Sequence, residues 1–154
     1  MKFICDAMLG KLAKYLRILG LDAEYTNSPA VLDRYRGEAE PPYFLTKRLK
    51  GITYPKVVFI KSDRPRDQLL EVKEIIRPFI NREKIMNRCI ECNVELADIC
   101  KSDIEQYVPE FVFHQYSLFR ICPQCRKVYW EGSHAVHMGD LIREIMETPA
   151  FPDE

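Results

Sequence analysis

The stretch KFICDAMLGKLAKYLRILG, residues 2–20, decides the fold of the first half of the chain. Its first four residues predict a short buried strand that ends at Asp6. From Gly10 onward the apolar residues recur at helical spacing, which predicts an amphipathic helix that ends at Gly20. A strand, an acidic residue and a helix in immediate succession are typical of the α/β class of folds.

Further apolar runs continue this alternation of strands and helices. Strand-like runs cover residues 23–26, 43–46 and 57–61, and a second helical pattern covers residues 67–80. The alternation predicts a three-layer α/β domain built around a parallel sheet. In such domains functional groups collect beyond the carboxyl ends of the strands. We therefore expect Asp6, Thr46 and Asp63, which end or follow strands, to lie along one edge of the sheet.

Two cysteine pairs stand in the second half, Cys89-Ile90-Glu91-Cys92 and Cys122-Pro123-Gln124-Cys125. Each pair places two thiols on a tight turn, and two such turns supply the four thiolates of a closed structural zinc site. The 29 residues between the pairs predict a small zinc-ribbon domain with structure of its own. Two disulfides and a redox-active pair are the alternatives, and the matching spacing favours the metal.

The composition of the chain is that of a globular protein. It has 154 residues, of which 47% are hydrophobic and 30% charged, and no apolar run is long enough to span a membrane. The N-terminal segment reaches Asp6 after three apolar positions, so it lacks the apolar core of a secretory signal. We expect a cytoplasmic protein, in which cysteines stay reduced.

The net charge of zero conceals a difference between the two halves. Residues 1–88 carry 18 Lys and Arg against 11 Asp and Glu, a net charge of +7, whereas residues 89–154 carry 5 against 12, a net charge of −7. The change of sign predicts two domains, residues 1–86 and 87–154, the second of which ends in a helix. A basic first domain suits a partner that carries phosphate. Attraction between the two halves explains the charges equally well.

Two aspartates are the candidate catalytic residues. A carboxylate such as Asp6, at the end of a strand, can bind Mg²⁺ or Mn²⁺, which activates water and neutralises a phosphodiester. The alternative is that Asp6 caps the following helix, because an acid there satisfies free N–H groups and the helix dipole. Asp63 has the same two interpretations, since Ser62-Asp63-Arg64-Pro65 is also a good turn and cap sequence.

Basic residues of the first helix are candidates for phosphate binding. Lys11, Lys14 and Arg17 recur at spacings of three and lie roughly opposite the apolar face. Most such runs are solvated faces, but this one starts beside Asp6, which favours contact with nucleic-acid phosphates.

The second cysteine turn carries basic and aromatic residues close together, which is typical of binding to single-stranded nucleic acid. The candidates are Arg126, Lys127 and Trp130, and His134 follows them. Trp130 serves equally well as a packing residue of the ribbon. His134 either caps the next helix or touches substrate, because four cysteines complete the zinc site without it.

Several of these segments together resemble the mutator-seven C-terminal RNase domain family. They are residues 6–22, 44–46, 61–63, 68–69, 88–93 and 122–134, within a similarity that runs from Lys2 to about Ile145. The resemblance implies a PIN-like nuclease fold joined to a zinc ribbon, with metal-dependent cleavage of RNA. It also implies that Asp6 is the first metal-binding carboxylate and that Asp63 stands at the position of another acid.

The chain departs from the family pattern at two places. The family usually ends its third strand in Thr-Arg-Asp, whereas this chain has Thr46-Lys47-Arg48. An acidic pair is expected after the second strand, where this chain has Pro29 and Ala30, with Asp33 and Glu38 nearby. A lost carboxylate and an added arginine make the site more positive, which favours phosphate and disfavours a metal ion.

Three functions are compatible with the sequence. The leading hypothesis is a metal-dependent ribonuclease, in which Asp6 and Asp63, with Asp33 or Glu38, hold Mg²⁺ or Mn²⁺ while the cysteines hold structural Zn²⁺. The alternative is an RNA-binding module that keeps the fold but has lost part of its acidic site. The third is a protein-interaction adaptor that docks through its acidic second domain. In the first two cases RNA is the partner.

Overall fold

A four-stranded parallel sheet forms the first part of the computed structural model, which describes residues 1–130 and 135–147. Its strands are β1 (Lys2–Cys5), β2 (Asp22–Tyr25), β3 (Tyr43–Thr46) and β4 (Val57–Phe59). They lie in the order β2-β1-β3-β4, and each neighbouring pair is parallel. The predicted α/β fold with a parallel sheet is confirmed.

An apolar cluster covers each face of the sheet. Strands β1, β3 and β4 contribute to both clusters, because their successive side chains point to opposite sides. Phe3 and Cys5 belong to the larger apolar cluster, which also holds residues of the helices, whereas Ile4 belongs to a smaller cluster on the other face. Three helices that contribute to the larger cluster are α1 (Gly10–Ile18), α2 (Pro65–Glu71) and α3 (Lys73–Ile76). The smaller cluster includes Leu32, from the 3₁₀ helix Pro29–Tyr35.

The helix predicted over residues 67–80 is divided in the structure. α2 ends at Glu71, α3 begins at Lys73, and a 3₁₀ helix, Arg77–Phe79, follows. Val72 lies between them with φ −97° and ψ 5°, and its N–H is shared between the carbonyls of Gln68 and Leu69. This sharing tightens the backbone at Val72, and Pro78 falls in the 3₁₀ segment.

A second, antiparallel sheet carries the cysteine turns. Its strands are β5 (Ala97–Ile99), β6 (Phe119–Ile121) and β7 (Val128–Trp130), in the order β5-β6-β7. The hairpin of β6 and β7 flanks the second cysteine pair, as expected of a ribbon. The short helix α4 (Glu110–Gln115) packs on this sheet through Val112, in a small apolar cluster of its own.

The last helix, α5 (Ala135–Met146), lies against the α/β part of the molecule although it follows the ribbon in the sequence. Met138, Leu141 and Ile145 are buried in the larger cluster with the residues of β1 and α1. Arg66 also pairs with Glu144 at 3.0 Å. The domain boundary between residues 86 and 87 remains a prediction, and the helix that we assigned to the second domain contributes to the core of the first.

Gly20, which follows α1, allows the backbone to pass close to the carbonyl group of Lys84. Gly20 has φ +81°, and a Cβ atom there would lie 2.4 Å from the carbonyl oxygen of Lys84. Gly37 has a similar φ of +88° but nothing within 4 Å of its Cβ position. Substitution of Gly37 therefore tests only the free-energy cost of a left-handed backbone, whereas substitution of Gly20 adds the cost of a steric clash.

We expect Gly37→Ala to lower the free energy of unfolding by about 1–2 kcal/mol, the cost of an L-residue in the left-handed region. Gly20→Ala should lower it by roughly 1–3 kcal/mol more, because Lys84 has to move. Urea unfolding of both variants measures the difference. Equal losses would show that the Gly20 turn adapts without strain.

Candidate functional site

Asp6 lies beyond the carboxyl end of β1 with its side chain fully buried. Its N–H donates to the carbonyl of Leu45 at 2.9 Å, which extends the pairing of β1 with β3. One carboxylate oxygen, Oδ1, accepts from the N–H of Ala7 at 2.8 Å, and Oδ2 accepts from Thr46 Oγ1 at 2.7 Å. α1 begins only at Gly10, and no side chain caps it. The interpretation of Asp6 as the cap of this helix is therefore wrong.

Asp6 and Thr46 also lie where the order of the strands reverses. From β1 the chain passes to β2 on one side and then crosses to β3 on the other. In open α/β sheets, ligands bind in the crevice outside the carboxyl ends of the strands at such a switch point. The residues that follow β1 and β3 therefore form the candidate site, which we call the Asp6 edge.

An arginine neutralises Asp6 at this edge. Arg48 Nε lies 2.8 Å from Asp6 Oδ2, and the Arg48 side chain is 47% exposed whereas that of Asp6 is 1% exposed. Thr46 connects the two residues, because its hydroxyl donates to Asp6 and accepts from the N–H of Arg48 at 3.0 Å. The Asp6 edge thus presents a guanidinium to solvent and holds its carboxylate behind it.

The second candidate acid has a different cation. Asp63 is exposed, and its Oδ1 accepts from Lys47 Nζ at 2.8 Å. The ammonium of Lys47 also donates to the carbonyls of Ser62 at 2.8 Å and Lys61 at 3.4 Å. The hydrogen bond and charge of Lys47 hold the pKa of the Asp63 carboxyl below its ordinary value. Lys47 therefore ties the loop after β3 to the loop after β4.

The other two acids do not join the Asp6 edge in the described part of the chain. Asp33 lies in the 3₁₀ helix after β2 and pairs with Arg36 at 2.7 Å. Glu38 is exposed in the loop that follows. Neither makes a hydrogen bond or ion pair with Asp6 or Asp63 among the described residues. The residues after β2 therefore do not replace the acidic pair that the resemblance implies.

The basic stripe of α1 is interrupted by burial. Lys11 is exposed, and Lys14 is exposed with an ion pair to Glu91 at 3.4 Å. Arg17 is only 9% exposed, and the prediction that it lies on the phosphate-binding face is wrong. Steps of three residues fall about 60° short of a full helical turn, so Arg17 lies about 120° around the helix from Lys11.

Arg17 instead bonds the α/β part to the first cysteine turn. Its Nε donates to the carbonyl of Ala23 at 2.8 Å, and Nη1 donates to the carbonyl of Ile90 at 2.6 Å. Burial lowers the pKa of the Arg17 guanidinium, yet arginine stays charged in proteins. Arg17 is thus a structural cation.

Asn93, which the sequence did not single out, completes this contact. Its Oδ1 accepts from the N–H of Ala23 at 3.0 Å, and its Nδ2 donates to Asp22 Oδ1 at 2.7 Å. Asp22 is the first residue of β2, whereas Asp6 follows the last residue of β1. Four residues of strand separate these levels, about 13 Å. The first cysteine turn therefore lies near the amino end of the sheet, away from the Asp6 edge.

The four cysteines of the two pairs converge. The Sγ atoms of Cys89, Cys92, Cys122 and Cys125 lie within 4.8 Å of one another, and those of Cys89 and Cys125 are 3.7 Å apart. A tetrahedral zinc site with Zn–S distances of about 2.3 Å places its sulfurs about 3.8 Å apart. The cluster can hold one metal ion, and its thiol donors and spacing fit zinc.

The two cysteine turns have the same backbone geometry. The residue after each pair has a positive φ, 59° at Asn93 and 67° at Arg126. Its N–H donates to the carbonyl of the first cysteine of the pair at 2.9 Å in both turns. N–H groups inside the turns donate to Cys89 Sγ and Cys122 Sγ at 3.4 Å. Such donors stabilise thiolates, the form that binds metal.

Hydrogen bonds around the sulfurs shift their ionisation. Burial opposes ionisation of Cys122, but the N–H groups of Cys125 and Gln124 outweigh it and lower the pKa of Cys122 to about 7. Tyr129 is buried beneath the cluster, and its hydroxyl donates to Cys89 Sγ at 3.2 Å. Burial and this bond raise the pKa of Tyr129. Tyr129 therefore supports the four-cysteine cluster from below.

The remaining candidates of the ribbon lie on its surface or in its core. Arg126 and Lys127 are exposed, and Lys127 Nζ lies 5.4 Å from the centre of the Tyr129 ring. Trp130 is half-buried and packs against the apolar cluster of the ribbon, as its alternative interpretation expected. His134 lies outside the described residues.

We expect Cys92→Ser and Cys125→Ser to remove a stoichiometric metal ion and to destabilise the protein, because structural zinc contributes folding free energy. Cys100→Ser is the matched control, since Cys100 is exposed and not part of the cluster. Metal analysis and thermal unfolding of the three variants check this. Cooperative unfolding of a purified protein that contains no zinc would contradict it.

The comparisons with known proteins agree with the resemblance seen in the sequence. A family model described as the Mut7-C RNAse domain matches residues 1–142, most of the chain. No curated protein and no solved structure gives a significant match. None of the helices described is long and apolar enough to cross a membrane.

The family match supports a ribonuclease-type function with RNA as substrate. The chain belongs to the Mut7-C RNAse domain family.

Proposed function

We propose that this protein is a cytoplasmic, metal-dependent ribonuclease of the PIN-like class that cleaves RNA phosphodiester bonds at the Asp6 edge. The observation that carries the proposal is the placement of a fully buried carboxylate at the strand-order reversal of a parallel sheet, in a chain of a ribonuclease family. Buried carboxylates are retained in proteins where something pairs with them. The partner of Asp6 here is Arg48, and a divalent cation would be the partner during catalysis.

The Asp6 edge fits Mg²⁺ or Mn²⁺ only when Arg48 leaves the carboxylate. Asp6 Oδ2 already accepts from the Thr46 hydroxyl and pairs with Arg48, and Asp63 is paired with Lys47. When bound, such a cation neutralises the phosphodiester and activates water. The chain's own part is to hold the ion through Asp6 and to fix the carboxylate plane through the Thr46 hydroxyl.

The ribbon has a structural part in this proposal. We propose that the four cysteines bind zinc and that Arg126, Lys127 and Trp130 contribute a second contact surface for RNA, with His134 after them. The two cations and the aromatic side chain of this surface supply the charge and the ring that binding to single-stranded nucleic acid uses. Trp130 uses the part of its side chain that the ribbon leaves exposed.

A non-catalytic RNA-binding module is the second candidate. One observation favours it: two consecutive residues, Lys47 and Arg48, each neutralise one of the two candidate acids. With both carboxylates paired to basic side chains, the edge attracts phosphate without the charge needed to bind two metal ions. The two candidates share the RNA ligand and differ only in whether a metal ion replaces Arg48.

We expect Asp6→Asn to abolish cleavage of single-stranded RNA in Mn²⁺, with a loss greater than the roughly 100-fold typical of outer-shell partners. Asparagine keeps the size of the side chain and its contact with Thr46, so the fold should persist. Asp63→Asn tests the second acid, and Asp98→Asn, an exposed acid of the ribbon, is the control. Gel analysis of labelled RNA measures the rates.

Unchanged cleavage by Asp6→Asn would place catalysis elsewhere. Wild-type protein that binds RNA but does not cleave it at saturating Mn²⁺ would favour the non-catalytic module.

We expect the double substitution Lys11→Ala, Lys14→Ala to weaken RNA binding across sequences without unfolding the protein. For a single strand, the slope of log affinity against log salt should become shallower by about 0.7 for each phosphate that the protein no longer neutralises. Lys56→Ala with Lys101→Ala removes two positive charges elsewhere and serves as the control. Fluorescence anisotropy over a range of salt concentrations measures both. Equal effects of the two double variants would contradict a binding face on α1.

A further inference from the structure

Arg48 is anchored at one nitrogen and open at the others. Its Nε lies 2.8 Å from Oδ2 of the buried Asp6 carboxylate and forms an ion pair with it. A guanidinium carries five N–H donors in a planar fork. Among the described residues, neither terminal nitrogen of Arg48 has a hydrogen-bond partner, and about half of the side chain is exposed. The outer side of the fork therefore faces solvent with its donors unused.

We propose that Arg48 is a phosphate-binding residue for RNA and that Asp6 positions it. The proposal rests on RNA being the ligand of the Asp6 edge. The two terminal nitrogens of an arginine match two phosphate oxygens, which gives a bidentate charge-assisted bond. A side chain already held in its bound orientation loses less rotamer freedom when the ligand arrives. The Asp6–Thr46–Arg48 contacts supply that orientation.

The surroundings of Arg48 fit a nucleic-acid strand. Lys61 and Arg64 are exposed in the segment that follows β4. Met8 and Leu49 are 77% and 79% exposed on the loops that follow β1 and β3. Cations attract the RNA backbone, and exposed apolar side chains can contact the faces of unpaired bases. The same edge thus offers a fork for phosphate, further positive charge and apolar surface.

A consequence is that RNA binding at this edge does not need a divalent cation. The guanidinium provides at the Asp6 edge the positive charge that a metal ion would otherwise bring to the phosphate. Lys47 compensates the nearby acid Asp63. Binding should therefore persist without added Mg²⁺ or Mn²⁺, whatever the metal requirement of cleavage.

The test is the fluorescence anisotropy of a labelled single-stranded RNA in buffer without Mg²⁺ or Mn²⁺. Four proteins are compared: the wild type, Arg48→Lys, Lys50→Ala, and a double variant that carries both Asp6→Asn and Arg48→Ala. Arg48→Lys keeps a cation beside Asp6 but loses the fork, and we expect it to bind RNA about tenfold more weakly or worse. The double variant avoids an uncompensated buried charge and should bind as weakly. Lys50→Ala, a matched loss of one positive charge in the same loop, should change the affinity by less than threefold.

Asp6→Asn alone distinguishes positioning from simple charge. If Asp6→Asn acted only by removing a negative charge, it would tighten RNA binding. The slope of log affinity against log salt concentration would then stay the same or become steeper. If Asp6 positions Arg48, binding weakens and the slope falls by about 0.7, the value expected for one phosphate. Circular dichroism of every variant confirms the fold.

The outcomes separate the inference from the proposed function. If Arg48→Lys and Lys50→Ala lose the same amount of RNA affinity, Arg48 has no special role. Tighter RNA binding by Asp6→Asn would overturn that role as well. In both cases RNA would remain the ligand. Wild-type protein that binds no RNA at low salt would overturn the proposed function itself. RNA binding that requires added Mn²⁺ would contradict the inference while supporting a metal ion at Asp6.

Discussion

The buried guanidinium of Arg17 joins three parts of the molecule that are far apart in the sequence. It extends from α1, donates to the carbonyl of Ala23 in β2 and reaches the carbonyl of Ile90 in the first cysteine turn. A buried charge is tolerated only while its hydrogen bonds are made. The α/β sheet and the four-cysteine cluster therefore depend on each other, because displacement of the first cysteine turn would leave Arg17 Nη1 without its acceptor.

The pairings at the opposite end of the sheet follow the same logic of charge and burial. Asp6 is inaccessible to water, and Arg48 compensates it, while the exposed Asp63 is compensated by Lys47. The three neighbouring residues Thr46, Lys47 and Arg48 thus have different roles. The Thr46 hydroxyl orients Asp6, the Lys47 ammonium connects two loops, and the Arg48 guanidinium reaches solvent. A site built from acids alone at these positions would need bound cations to remain assembled.

The amino-acid sequence predicts those features that depend on local pattern. The strand before Asp6, the helix after it and the convergence of the cysteines follow from spacing, and the structure contains them. What it could not show are contacts between distant segments. Arg17 is one position in a basic stripe until Ile90, 73 residues later, supplies an acceptor. The charge of Arg48 was visible in the sequence, but its bond to Asp6 depends on the neighbouring positions of β1 and β3.

The order of packing along the chain bears on how the protein matures during synthesis. α5 follows the ribbon, yet its buried side chains complete the apolar cluster that begins at Phe3. A nascent chain that has emerged only as far as β7 therefore presents that cluster uncovered, with the ribbon already able to bind its metal. The ribbon is topologically an insertion between the α/β layers and their last helix. Contacts of this span delay folding, since the loop must close before they form. The core of the α/β part is therefore completed only after the ribbon has been synthesised.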